Sequence, residues 1–125
     1  MRRINEPQEF LIKNLEAIDL MAETAEEIYH SYKEYLSNET EMTPRMKQNM
    51  IDGLAMKIQV FGEQSTNVSD EFQHKHDVIR WGDFRKFRYI ISHDYGLVDS
   101  DIIFAVSAEM LRIRDNLDEV LYQYE

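Results

Sequence analysis

The chain has 125 residues, 43% of them apolar and 30% charged, which suits one folded domain over residues 1–125 and argues against a disordered chain. With 14 basic against 24 acidic residues the net charge is −10, which disfavours non-specific binding to nucleic acid or anionic lipid, so any RNA contact needs a local basic patch. There is no cysteine, which removes disulfides, thiolate zinc sites and cysteine nucleophiles, and no apolar run approaches the ~20 residues of a membrane span. No apolar segment follows Met1-Arg2-Arg3, so a soluble, cytoplasmic protein without a signal peptide is expected.

With only 4 glycines and 2 prolines the chain lacks the turn punctuation of a β-sandwich or barrel, and an all-α fold is expected. The first helix is predicted from about Pro7 to Leu36. Leu11, Leu15, Ile18, Ala22, Ala25, Tyr29, Tyr32 and Leu36 alternate at spacings of four and three, the seam of a helix bundle. After the polar break Asn38-Glu39-Thr40-Glu41, Thr43-Pro44 reads as an N-cap followed by proline in the first turn. The second helix runs from about Pro44 to Thr66 on a stripe of Met50, Leu54, Ile58, Phe61 and Ser65, widened by Ile51 and Ala55. Gly53 and Gly62 interrupt it, each at a cost of about 1 kcal/mol against alanine, tolerable where another helix packs closely. Residues 67–79 read as a connection with room for one helical turn.

A short third helix is expected over Trp81–Ser92, with Trp81, Phe84, Phe87 and Ile91 in the core and Gly96 as its left-handed stop. Asp99 or Ser100 caps a last helix that runs to about Tyr122 on Ile102, Val106, Met110, Ile113, Leu117 and Leu121. The expected architecture is an up-and-down bundle of three long helices and one short one. The 7 methionines read as core fillers, and Tyr29, Tyr32, Tyr122 and Tyr124 as aromatics at a core edge or interface.

Charge is unevenly spread. Between His74 and His93, Lys75, Arg80, Arg85, Lys86 and Arg88 stand against Asp77 and Asp83, a local +3, whereas the chain from Gly96 onward carries −5. The island falls on the short third helix, with Trp81, Tyr89 and Tyr95 interleaved. Taken alone it reads as a solvated helix face.

Ile79-x-Trp81, Arg85 and Arg88-x4-His93-Asp94-Tyr95 together give the segment a second reading. They resemble the HepT-like branch of the HEPN ribonuclease-toxin superfamily. Phe61-Gly62-Glu63 and Ser69-x-Glu71-Phe72 upstream, and Val98-Asp99 downstream, fit the same resemblance, which covers roughly Met46 to Leu121. It implies a helical homodimer that places two Arg/His motifs in a shared cleft and cleaves RNA without a metal or other cofactor. It also implies a minimal nucleotidyltransferase antitoxin as partner, which transfers AMP to the Tyr of the motif, here Tyr95. One position departs from the family pattern: a small polar residue usually follows the Arg, and here it is Tyr89, which can donate a hydrogen bond to phosphate or stack on a base.

The chemistry can be argued from the residues themselves. Cleavage of a phosphodiester by its own 2′-hydroxyl needs proton transfer and a cation over the transition state. His93 can act as base or acid near neutral pH, and Arg88 presents a permanent planar fork to phosphate oxygens. The product would carry a 2′,3′-cyclic phosphate. On one ideal helix Arg88 and His93 would point about 140° apart. Either the helix ends before His93 and a turn swings it back, or Arg88 of one chain faces His93 of another. Asp94 reads as a cap on that turn, and Arg85, Lys86 and Tyr89 as RNA contacts. The third helix is expected at or near the dimer interface. The alternative is a non-catalytic helical subunit that docks the nucleotidyltransferase or its substrate. Glu27-x-x-His30 and Glu71-x-x-His74 carry the element of di-iron bundles but match by chance more often than by function, and His74-Lys75-His76-Asp77 reads as an exposed polar turn.

Overall fold

The computed structural model describes residues 8–90 and 99–125. Three long helices, α1 (Gln8–Asn38), α2 (Pro44–Ser65) and α5 (Ser100–Tyr122), pack with two short ones, α3 (Asp70–Lys75) and α4 (Trp81–Phe87). There is no strand among the described residues. The all-α bundle is as expected, and the turn allowed for in the 67–79 connection is present as the short helix α3.

Helix boundaries follow local chemistry. A single 3-10 turn, Glu39–Glu41, closes the α1–α2 hairpin, and the Thr43 hydroxyl then accepts from the Met46 amide at 3.1 Å with Pro44 behind it. Ser69 does the same for Phe72 at 3.2 Å, ahead of Asp70 and Glu71, so the expected connection folds into α3. At α5 the cap is Asp99, whose carboxylate accepts from the Asp101 amide at 3.0 Å.

α1 lies between α2 and α5, and the core forms where the three meet. Ile18, Met21, Ala25 and Ile28 of α1, Leu54, Ala55, Ile58 and Phe61 of α2, and Ile103, Met110 and Leu117 of α5 are essentially removed from water. Two expected seams are rotated. On α1 the buried line runs through Asn14, Ala17, Met21, Ile28 and Tyr35 as well as Ile18, Ala22 and Ala25, while Leu36 is 47% exposed. On α5 Ile103, Ser107 and Val120 are buried and Ile102 is half exposed. A helix wedged between two partners buries a broad arc centred between them, which a one-partner ladder misses. The methionines also divide: Met21 and Met110 fill the core, whereas Met46 and Met56 are 49% and 57% exposed.

Polar side chains join α1 to both of its long neighbours: the Lys57 ammonium of α2 donates to the Ser31 hydroxyl of α1 at 3.2 Å. Arg114 of α5 meets Glu26 of α1 at 3.0 Å and its own neighbours Asp115 and Asp118 at 3.0 and 3.4 Å. Partial burial pushes the Asp118 carboxyl up despite the nearby guanidinium.

Candidate active site

The basic island sits on α4, and α4 is held in place by its own aromatics. Trp81 is buried and its indole N–H donates to the His76 carbonyl at 3.0 Å. Phe84 meets Phe61 of α2 edge-on at 4.9 Å, and Phe87 lies 6.2 Å from the same ring. Trp81 and Phe84 are core, as the sequence reading had them, and Phe87 is partly buried against it.

The backbone of α2 comes right up to the end of α4. A Cβ built on Gly62 would lie 2.8 Å from the Arg88 amide nitrogen and 2.8 Å from the Phe84 carbonyl oxygen. Both are backbone atoms, so only glycine allows the approach. The close-packing explanation therefore holds for Gly62. It fails for Gly53, where a Cβ would meet nothing within 4 Å.

α4 ends earlier than expected. Its last α-helical residue is Phe87, and Arg88 is the C-cap. The amides of Arg88, Tyr89 and Ile90 then bond three residues back, to Arg85, Lys86 and Phe87, at 3.3, 3.1 and 3.2 Å. Tyr89 and Ile90 are weak helix formers, and over residues 88–90 tightened turns take the place of the expected helix. His93, Asp94, Tyr95 and Gly96 themselves lie outside the described residues, as does Ile91.

The cations of the island are not equivalent. Arg80 is paired with Asp83 at 2.8 Å, and Arg85 donates to the Gln73 side chain of α3 at 2.9 Å. Arg88 is exposed, and its guanidinium carbon lies 5.6 Å from the centre of the Tyr89 ring, a cation–π arrangement. Arg85 and Arg88 are three residues apart and share a side of the helix end. Lys86 points elsewhere, into a groove of about 400 Å³ between α4 and α5 whose apolar wall includes Phe84, Phe87, Val106 and Ile113. The structure therefore brings Arg88 and Tyr89 together, turns Arg85 toward α3 and sets Lys86 on the groove.

The platform under α4 rests on polar side chains that sequence periodicity does not reveal. Asn14, 2% exposed on α1, accepts from the Ser69 amide at 2.8 Å and donates to the Ser69 hydroxyl at 3.1 Å. His76, 8% exposed, shares a 2.6 Å hydrogen bond with the Tyr124 hydroxyl and stacks near Phe72. Burial holds the His76 ring below its ordinary pKa, with Lys75 adding repulsion. The tail of the chain thus clamps the segment that launches α4. The sequence reading had His76 in an exposed polar turn, and its neighbours Lys75 and Asp77 gave no sign that the ring is buried.

The two Glu-x-x-His pairs come to nothing as a centre. Glu71 and His74 do lie on a helix, α3, and His30 sits 3.9 Å from Glu26 rather than from a second pair. Among the described residues no three His, Asp or Glu side chains cluster as metal ligands would.

The fold is thus a small all-α bundle that displays an arginine at the end of a short, aromatic-anchored helix. Residues 15–122 match the family described as Ribonuclease HepT-like, and the chain belongs to it. No curated protein and no solved structure gives a significant match. No helix among the described residues is long and apolar enough to cross a membrane.

Proposed function

We propose that this protein is a metal-independent endoribonuclease and the toxin of a toxin–antitoxin pair. It acts as a homodimer and is neutralised by a minimal nucleotidyltransferase that adenylylates Tyr95. Membership of the ribonuclease HepT-like family supports RNA as the substrate. The observation that carries the reading is the placement of Arg88: an exposed guanidinium whose backbone is wedged against Gly62.

In this reading Arg88 spreads its fork over the non-bridging phosphate oxygens. His93 takes the proton of the 2′-hydroxyl or gives one to the leaving oxygen. Arg85 and Tyr89 hold the neighbouring nucleotides, and Lys86 contacts RNA from the far side of α4. The apolar groove beside α4 supports an interface there with a second protomer. AMP on Tyr95 would set an anionic phosphate beside Arg88 and exclude RNA by charge and bulk.

The test is cleavage of a mixed RNA pool with the 2′,3′-cyclic phosphate ends scored. His93→Ala should slow cleavage by about 10²–10⁴-fold with the fold retained. Arg88→Ala should cost roughly 10²–10³-fold, and Arg88→Lys should recover only part of it. EDTA should change nothing. Full activity in His93→Ala, or abolition by EDTA, would replace this mechanism with the docking-subunit reading. Co-expression with a minimal nucleotidyltransferase of the antitoxin type should yield an adduct of adenylate mass on Tyr95.

A further inference from the structure

A cleft of about 510 Å³ lies between α3 and α4, and Arg85 stands in its wall. Gln73 decides how that arginine is held. Its side-chain amide donates to the Val68 carbonyl at 2.9 Å and to the Ser65 carbonyl at 3.4 Å, where the chain passes from α2 to α3. Both amide hydrogens are thereby engaged by backbone, and Oε1 is left to accept from Arg85 Nη1 at 2.9 Å. The guanidinium is fixed through one nitrogen. Its Nε–Nη2 edge, a pair of parallel donors, has no partner among the described residues. Nη2 lies beside Gly82, 3.5 Å from where a Cβ would stand.

The charges of the cleft decide what such an edge can meet. Arg80 and Asp83, also on the wall, are paired with each other at 2.8 Å. Exposed Asp70 and Asp77 line it as well, three positions before Gln73 and four after it. One arginine is therefore left with two carboxylates, so a phosphate would meet more repulsion than attraction. A neutral, planar ligand with acceptors on one edge and donors on the next suits these walls, and half-buried Gly82 adds no side chain to obstruct it.

We propose that the cleft between α3 and α4 is a nucleobase subsite selective for guanine. Arg85 takes the O6/N7 edge through Nε and Nη2, and the carboxylate wall of Asp70 and Asp77 takes the N1–H and N2–H₂ donors. Adenine sets an amino group beside N7, which would face the arginine donor to donor. Neither pyrimidine carries an edge of two acceptors next to an edge of two donor groups. The subsite rests on RNA being the substrate and deepens the part of Arg85 in that reading. Arg88 follows one turn later on the same side, so the base belongs to a nucleotide beside the scissile phosphate.

GMP and AMP carry the same phosphate and are the probes. Each is titrated into the full-length chain by calorimetry and followed on the indole N–H resonance of Trp81, which is the single tryptophan and part of the cleft wall. GMP should bind more tightly than AMP by roughly 5- to 150-fold, the range of one bidentate arginine–guanine pair, and should shift the indole resonance. Arg85→Ala should bring GMP down to the level of AMP. Asp70→Asn combined with Asp77→Asn should narrow the ratio, whereas relief of repulsion alone would raise both nucleotides together. Gly82→Ala meets only Arg85 Nη2, at an ordinary contact distance, so it should melt like wild type and bind GMP less well. Equal binding of GMP and AMP, an unshifted indole, or a preference that survives Arg85→Ala would each overturn the subsite. In the mixed RNA pool, cuts should fall beside guanine and lose that bias in Arg85→Ala. Cuts without base preference would remove the subsite and keep the nuclease. An uncut pool would remove the nuclease reading, and the mononucleotide titrations would still decide the subsite.

Discussion

Gly62 and Gly53 stand nine residues apart on one helix and look alike in the sequence, yet they face opposite worlds. Gly62 is buried under the end of α4, with backbone atoms where its Cβ would be. Gly53 is exposed and meets nothing. The same helix cost is offset inside the protomer in one case and has no intramolecular return in the other. The first glycine positions Arg88; the second leaves a surface open. A glycine in a helix is thus a question about neighbours rather than about the helix.

The sharpest way to break the contrast is to add a methyl group at each site. Gly62→Ala forces two backbone atoms aside, and overpacking of this kind costs about 1–3 kcal/mol. The melting temperature should fall by several degrees, and RNA cleavage should fall further than the lost stability explains, because Arg88 moves with the backbone. A variant that melts like wild type would show that α2 and α4 are less tightly apposed than the structure has them.

The buttress beyond Gly62 can be loosened by pH. The folded chain holds His76 below its ordinary pKa, so the unfolded chain binds the proton more readily. This contribution to stability is complete above the unfolded value of about 6.5. It is lost progressively as pH falls from there through the lowered folded value. Thermal melts from neutral to mildly acidic pH should show a decline that His76→Phe lacks. At neutral pH that variant should itself lose about 1 kcal/mol with the Tyr124 hydrogen bond. Parallel pH profiles for the two proteins would mean that the ring is not the titrating group.

The smallest effect belongs to the open glycine. Gly53→Ala should raise protomer stability by up to about 1 kcal/mol, since the methyl group meets nothing and the helix gains propensity. Measured at a concentration where the chain is monomeric, a loss of stability instead would mean that Gly53 has a partner within the protomer.

Local chemistry made much of this protein legible. Thr43-Pro44 and Asp99 each cap a helix start through their own side chains, and no distant residue is needed to read them. Trp81 and Phe84 could be assigned to the core, with Phe87 packed at its edge, because they recur on one side of a short helix. The motif around Arg88 was visible as a spacing of residue types, and the family match supports the resemblance it suggested. Periodicity was less sufficient for α1 and α5. A ladder of large apolar side chains put Leu36 and Ile102 inside, but α1 touches two helices at once, and Tyr35 and Ile103 are the buried neighbours.

The sequence by itself determined the helical class, the helix starts and the composition of the basic island, because caps, breakers and charge act over a few residues. Tertiary structure alone decided which glycine is crowded, which cation is already paired and which residues brace α4. Asn14 and Ser69 are 55 positions apart and His76 and Tyr124 are 48, so no local pattern carries their meeting. Such contacts exist only once the long helices have packed and brought the ends of the chain together, which is why Arg88 owes its place in part to Asn14, His76 and Tyr124, residues outside the quoted motif pieces.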